Sequence, residues 1–154
     1  MTKSLHEIFT EVDEVTSVVK KAQILKDNES DGLKIVLRGA FDTGIKWLVP
    51  DTKPPFQPND APAYDLAEMH LQQEAKKIGR FATFNGQPTA QGKDLTKTRR
   101  EQLFIQLLEG LHTSEAEILL TMVKKKLNYK GLTAKLSNKA FPDLIPVERM
   151  VKPK

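Results

Sequence analysis

The segment TKTRREQLFIQLLEGL (residues 96–111) decides the fold. Leu103, Phe104, Leu107, Leu108 and Leu111 recur in it at three- and four-residue spacing, the most apolar helical face in the chain. A face of this width must be buried against other elements, so it predicts the centre of a helical core. Thr98 and Glu101 have the spacing of a capping box at its start. Directly behind it, SEAEILLTMVKKKL (114–127) opens on a second such pair, Ser114 and Glu117, and closes on three lysines suited to a helix C-terminus.

Working outward, SLHEIFTEVDEVTSVVKKAQIL (4–25) places Leu5, Ile8, Phe9, Val12, Val15, Val19 and Ala22 on one helical stripe, with Ser4 and Glu7 as its capping box. GLKIVLRGAF (32–41) predicts a second, shorter helix, and IKWLVP (45–50) a helical turn that anchors both through Trp47. PDTKPPFQPNDAP (50–62) holds five of the nine prolines and predicts an extended strap with Phe56 as its anchor. YDLAEMHLQQEAKKIGRFA (64–82) sets Ala67, Leu71, Ala75, Ile78 and Ala82 on one stripe of a further helix, and FNGQPTAQGKD (84–94) predicts a loop. In YKGLTAKLSNKAFPDLIP (129–146) Thr133 can cap a last helix that turns Leu136 and Ala140 inward and stops near Phe141, before Pro142. No segment alternates as a strand does. The expectation is an all-α fold, a compact bundle of about six helices forming one domain over residues 1–150, with a short basic tail at 151–154.

Composition narrows the chemistry. Of 154 residues 39% are hydrophobic and 29% charged, a globular balance, and seven phenylalanines and one tryptophan can supply a core. Without cysteine the chain has neither disulfides nor a thiolate zinc site, which predicts a reducing, cytoplasmic setting. No run approaches the roughly 20 apolar residues that span a bilayer, so no membrane role is expected. His6, His70 and His112 fall on separate elements in no metal-binding spacing, and His112 is expected to meet the free carbonyls of the helix before it. No G-x-S-x-G elbow and no G-x-x-x-x-G-K-[ST] loop occurs. The expectation is a non-catalytic protein that uses no cofactor.

The 24 Lys and Arg against 20 Asp and Glu leave a net charge of +4. The basic residues gather in the second half, with Lys76, Lys77 and Arg80 on one helix, Arg99 and Arg100 opening another, and Lys124, Lys125 and Lys126 after the next. From spacing alone a solvated charged face explains the cluster ahead of a phosphate-binding face. The closing segment favours phosphate, because Gly131 before a capped helix start can present free backbone N–H groups. Lys130, Thr133, Lys135 and Lys139 surround that start with donors and positive charge.

Three stretches carry a resemblance to a known family: LKIVLRGAFDTGIKWLVP (33–50), REQLFIQLLEGLHTSEAEILLTMVKKKL (100–127) and YKGLTAKLSNKAFPDLIP (129–146). Together they resemble the helical N-terminal DNA-binding domain of ATP-dependent DNA ligases, particularly those of T-even-type bacteriophages. The last is the most specific, with Gly131, Asn138, Lys139, Pro142, Leu144, Ile145 and Pro146 at the family's pattern, whereas the strap and the loop around Gly92 have no counterpart. The family's adenylated K-x-D-G motif is absent. The resemblance therefore implies a module that grips duplex DNA without sealing nicks, through phosphate contacts of little sequence preference, in phage replication, repair or recombination within the host cytoplasm. Its expected contacts are Arg99, Arg100, Lys130, Gly131, Thr133, Lys135, Asn138 and Lys139. The other expectation is a helical adaptor for a replication or transcription protein, such as a sliding clamp, polymerase or host factor, since a fold does not fix a function.

Overall fold

Ser4 begins the ordered helical part as expected. Its Oγ accepts from the Glu7 amide at 3.1 Å while its own N–H donates to the Glu7 carboxylate, and α1 runs over Leu5–Glu14. The structure, a computed structural model, describes residues 4–49 and 71–150. The proline-rich strap with Phe56, the expected helical stretch before Leu71 with His70, and the basic tail at 151–154 lie outside those residues.

The first amphipathic stretch is two helices instead of one. Val15 and Ser17 take extended backbone, and Ser17 caps a new helix, α2 (Val18–Asp27), by accepting from the Lys20 amide. Two β-branched residues followed by a hydroxyl that competes for backbone donors explain the break. Val19, expected on the buried stripe, is consequently exposed beside Val18. The break also lets Lys21, 6% exposed, donate its Nζ to the Val12 carbonyl at the end of α1 at 2.6 Å and to the Lys130 carbonyl at 2.9 Å.

Ser30 caps α3 (Asp31–Phe41), which buries Leu33, Val36, Leu37, Ala40 and Phe41. After it the expected helical turn is not formed over residues 45–49: Ile45–Trp47 is strand β1, paired antiparallel with β2 (Ala82–Phe84) in the register Ile45↔Phe84, Lys46↔Thr83, Trp47↔Ala82. β2 pairs in turn with β3 (Gln87–Pro88), so the expected loop at 84–94 begins as a hairpin and the fold is not purely α-helical. Asn85 and Gly86 join the strands with φ of 50° and 84°, the tight turn whose twist suits antiparallel strands. Trp47 does anchor the region, donating its indole N–H to the Gly39 carbonyl at 2.9 Å. A Cβ at Gly39 would stand 2.7 Å from the indole and 2.8 Å from Met122 Sδ, so only glycine lets α3, β1 and the later helix close together.

Past residue 71 the expected long helix is a four-residue α4 (Leu71–Glu74) that tightens into a 3₁₀ helix (Ala75–Phe81), still burying Leu71, Ala75, Ile78 and Phe81. Then come α5 (Lys97–Gly110) and α6 (Thr113–Val123), whose caps are not the expected pairs. Thr96, two residues ahead of Thr98, accepts from the Arg99 amide at 3.2 Å. His112 caps α6 by accepting the Ser114 amide at Nδ1, so its ring serves the start of α6 and not the end of α5. α7 (Ala134–Ala140) has the expected cap, Thr133, and the expected end at Phe141.

Seven α-helices among the described residues thus surround one continuous core, in which Phe81 meets Phe104 edge-on at 5.3 Å. The fold is mostly helical, with the small sheet at one margin. No helix among the described residues is long and apolar enough to cross a membrane.

Candidate nucleic-acid interface

The closing segment assigns most of its expected contacts to the fold itself. Gly131 has φ 75°, and a Cβ there would stand 2.8 Å from Lys21 Cε. Its close approach is to the buried lysine. The Thr133 hydroxyl is taken by the Leu136 amide, and the Asn138 side chain spans Ile145, donating to its carbonyl at 2.8 Å and accepting from its N–H at 2.9 Å. Lys130 donates its amide to Asp13 Oδ1 and its carbonyl accepts from Lys21. Lys135 and Lys139 project into solvent. α7 packs mainly on α2 and α3, whereas α5, which carries Arg99 and Arg100, packs on α6 and the 3₁₀ helix. The eight residues therefore fall into two neighbourhoods.

Around Arg99 and Arg100 the loop ahead of α5 folds back on the 3₁₀ helix. Thr89 Oγ1 donates to the Gly79 carbonyl at 2.8 Å, and Gln91 Nε2 donates to the Lys76 carbonyl at 3.0 Å. Gly92 lies so near Arg80 that a Cβ would meet the Arg80 carbonyl oxygen at 2.8 Å. Arg100 donates from its guanidinium to the Leu95 carbonyl. These contacts bring Lys76, Lys77 and Arg80 to the side of the molecule that holds Lys93, Lys97, Arg99 and Arg100.

Residues 74–101 contain those seven basic residues and only Glu74, Asp94 and Glu101; setting them aside from the chain's 24 and 20 leaves 17 of each sign. The whole net charge of +4 is therefore accounted for by this segment. Glu74 lies 3.5 Å from Lys77. The first turn of α5 has no acidic residue, so Lys97, Arg99 and Arg100 stand against the positive end of the helix dipole. The Nε atoms of Arg80 and Arg100 are shielded from solvent without a hydrogen-bond partner.

Two further polar groupings were not legible as sites. Asp42, fully buried, accepts from the Gly44 amide at 2.8 Å and from Arg149 Nε at 3.0 Å through Oδ1, and from a second Arg149 nitrogen through Oδ2. Lys125, counted among the basic cluster in the sequence, donates instead to the carbonyls of Gly39 and Asp42, and burial lowers its pKa to about 8 against the pull of Asp42. On the α1 side, His6 Nδ1 lies 2.9 Å from Tyr129 Oη; burial, then the charge of His112, lowers its pKa, with Glu7 opposing. Among the described residues no group of three or more His, Asp or Glu side chains could hold a metal.

No curated protein matches the chain in sequence. A family model does, over a span that includes all seven basic residues of the α5 side and stops at Tyr129, ahead of the closing helix. With residues 8–129 matched, the chain belongs to DUF6433, a family of unknown function.

Proposed function

We propose that this protein is a non-catalytic module that grips duplex DNA by its phosphates, with little base preference, using the face built from the 3₁₀ helix, the loop at 89–95 and the start of α5. One observation carries the reading. Lys97, Arg99 and Arg100 oppose the dipole of their own helix with no acidic residue in the turn, an arrangement that an external anion would relieve. Backbone phosphates are the repeated anion that fits a face of this breadth. The resemblance to the ligase DNA-binding domain agrees in kind and gives the phage replication, repair or recombination setting, but the interface moves from the closing hairpin to α5. Lys135 and Lys139 then make outlying contacts at most.

The test is fluorescence anisotropy of a labelled duplex across salt concentrations. Engagement of about four phosphates gives a slope of log K against log salt near −3.6. The triple variant Lys97→Glu, Arg99→Glu, Arg100→Glu should abolish binding, whereas Lys135→Glu with Lys139→Glu should shift it little. A flat salt response, or full affinity in the triple variant, would remove the proposal.

A second reading, an adaptor for a replication or transcription protein, is favoured by Val18 and Val19, 54% and 67% exposed in the first turn of α2. Loss of partner binding in Val18→Ser, Val19→Ser with DNA affinity unchanged would support it.

A further inference from the structure

The hairpin of β2 and β3 leaves the basic face at one end and returns to it at the other, since it joins Arg80 to the loop that carries Lys93. Its far end holds Phe84, the only aromatic among the exposed large hydrophobic residues of the described chain, at 37% exposure. Two guanidinium groups lie over that ring, Arg149 at 5.0 Å from its centroid and Arg38 at 5.9 Å. They differ in what else they do. Arg149 is held and neutralised by the buried Asp42. Arg38, in the last turn of α3, pairs with no carboxylate among the described residues, and its Nε is shielded without a partner. A half-exposed aromatic ring with one uncompensated, pre-positioned guanidinium offers a stacking surface and an anion contact side by side.

Duplex DNA keeps its bases stacked and cannot use an exposed ring, whereas an unpaired nucleotide offers both a free base face and a phosphate. From Arg80, near the end of the 3₁₀ helix, to Phe84, at the end of β2, the chain advances about 11 Å, roughly three stacked nucleotides at about 3.4 Å each. We propose that Phe84 and Arg38 form a site for an unpaired nucleotide of DNA, its base against the Phe84 ring and its phosphate at Arg38. A single-stranded overhang leaving a duplex on the α5 face would follow the hairpin to reach it. This deepens the duplex-binding reading and rests on it for the placement of the overhang, but not for the stacking.

The experiment compares blunt duplex, the same duplex with a short overhang carrying 2-aminopurine, and the single strand alone. Stacking of one base is worth roughly 5- to 150-fold in affinity, so the overhang should bind at least about fivefold tighter than the blunt duplex. Its 2-aminopurine emission should change on binding. Phe84→Leu, which keeps an apolar side chain in the hairpin, and Arg38→Gln should each erase that preference and leave blunt-duplex affinity intact; Phe84→Tyr should retain it. Equal binding of overhang and blunt duplex by the wild type, or a preference that survives in Phe84→Leu, overturns the site. Blunt duplex bound with no overhang preference leaves the α5 face standing and removes Phe84. Capture of the single strand in a Phe84-dependent way without duplex binding removes the α5 face instead. No nucleic-acid binding at all removes both.

Discussion

Replacing Asp42 with asparagine keeps the shape of the side chain and removes its charge, which isolates what the buried ion pair does for the fold. Asn Oδ1 can still accept from the Gly44 amide, so that hydrogen bond survives. Arg149 then loses its carboxylate, and one of its nitrogens, 3.3 Å from Asp42 Oδ2, faces an amide N–H₂ that can only donate. Breaking one side of a fully buried pair costs about 3–5 kcal/mol. The Arg149 side chain is 25% exposed, so water screens part of that loss and the expected destabilisation is about 2–3 kcal/mol. In a chain of this length that lowers Tm by roughly 5–10 °C. Urea melts followed by far-UV circular dichroism measure it, and a double-mutant cycle with Arg149→Leu should return a coupling of about 1–2 kcal/mol. A loss below about 0.5 kcal/mol, the scale of an exposed pair, would refute the assignment of Asp42 as the residue that ties α3, β1 and the C-terminal segment together.

Four other outcomes are expected. Lys97→Glu should raise stability by a few tenths of a kcal/mol, because it restores a favourable charge to the start of α5, while weakening duplex binding; thermal melts and anisotropy on the same sample would read the opposite signs. Gly131→Ala should cost about 1–3 kcal/mol through its positive φ and its clash with Lys21, and in a Lys21→Ala background the penalty should fall toward the φ contribution alone. The folded state resists protonating His6, whose pKa lies below the ordinary 6.5, so stability should fall as pH drops below about 6.5, and His6→Gln should flatten that limb. Lys125 gives the same sign at the other end: between about 8 and 10.5 the unfolded chain holds a proton that the folded one releases, so stability should gain from Lys125 as pH rises, and Lys125→Met should lose the gain in pH-dependent urea melts.

The helices were legible where one face is continuously apolar. Leu103 aside, which is half-buried, the α5 face of Phe104, Leu107, Leu108 and Leu111 is buried as its spacing implies, and so is the α3 face. Boundaries failed where a second residue competed for the same role. Thr96 and Thr98 are both plausible caps, and only the chain's approach along Leu95 selects the first. The sheet was missed because β1 and β2 are three residues each, too short for alternation to register. Asn85-Gly86 was the available signal, since that pair suits a two-residue hairpin turn, but Gln87-Pro88 beyond it resembles a loop and forms only a two-residue edge strand.

The basic residues were legible as a list and not as a surface, because charge carries no periodic requirement and its placement depends on polar loop contacts such as Thr89 to Gly79 and Gln91 to Lys76. The glycine before α7 is ambiguous for a physical reason. A positive-φ glycine says that something approaches the backbone closely, and the sequence does not distinguish an outside phosphate from an internal lysine. Lys21, inside the first amphipathic stretch, gives no sign in the sequence that it turns inward; the break at Ser17 decides that. The start of α5 is the opposite case. A turn that places Lys97, Arg99 and Arg100 against its own dipole is unfavourable whatever packs behind it, so the cue does not depend on tertiary placement. Such local electrostatic conflict is a firmer guide to an anion-binding face than a glycine is.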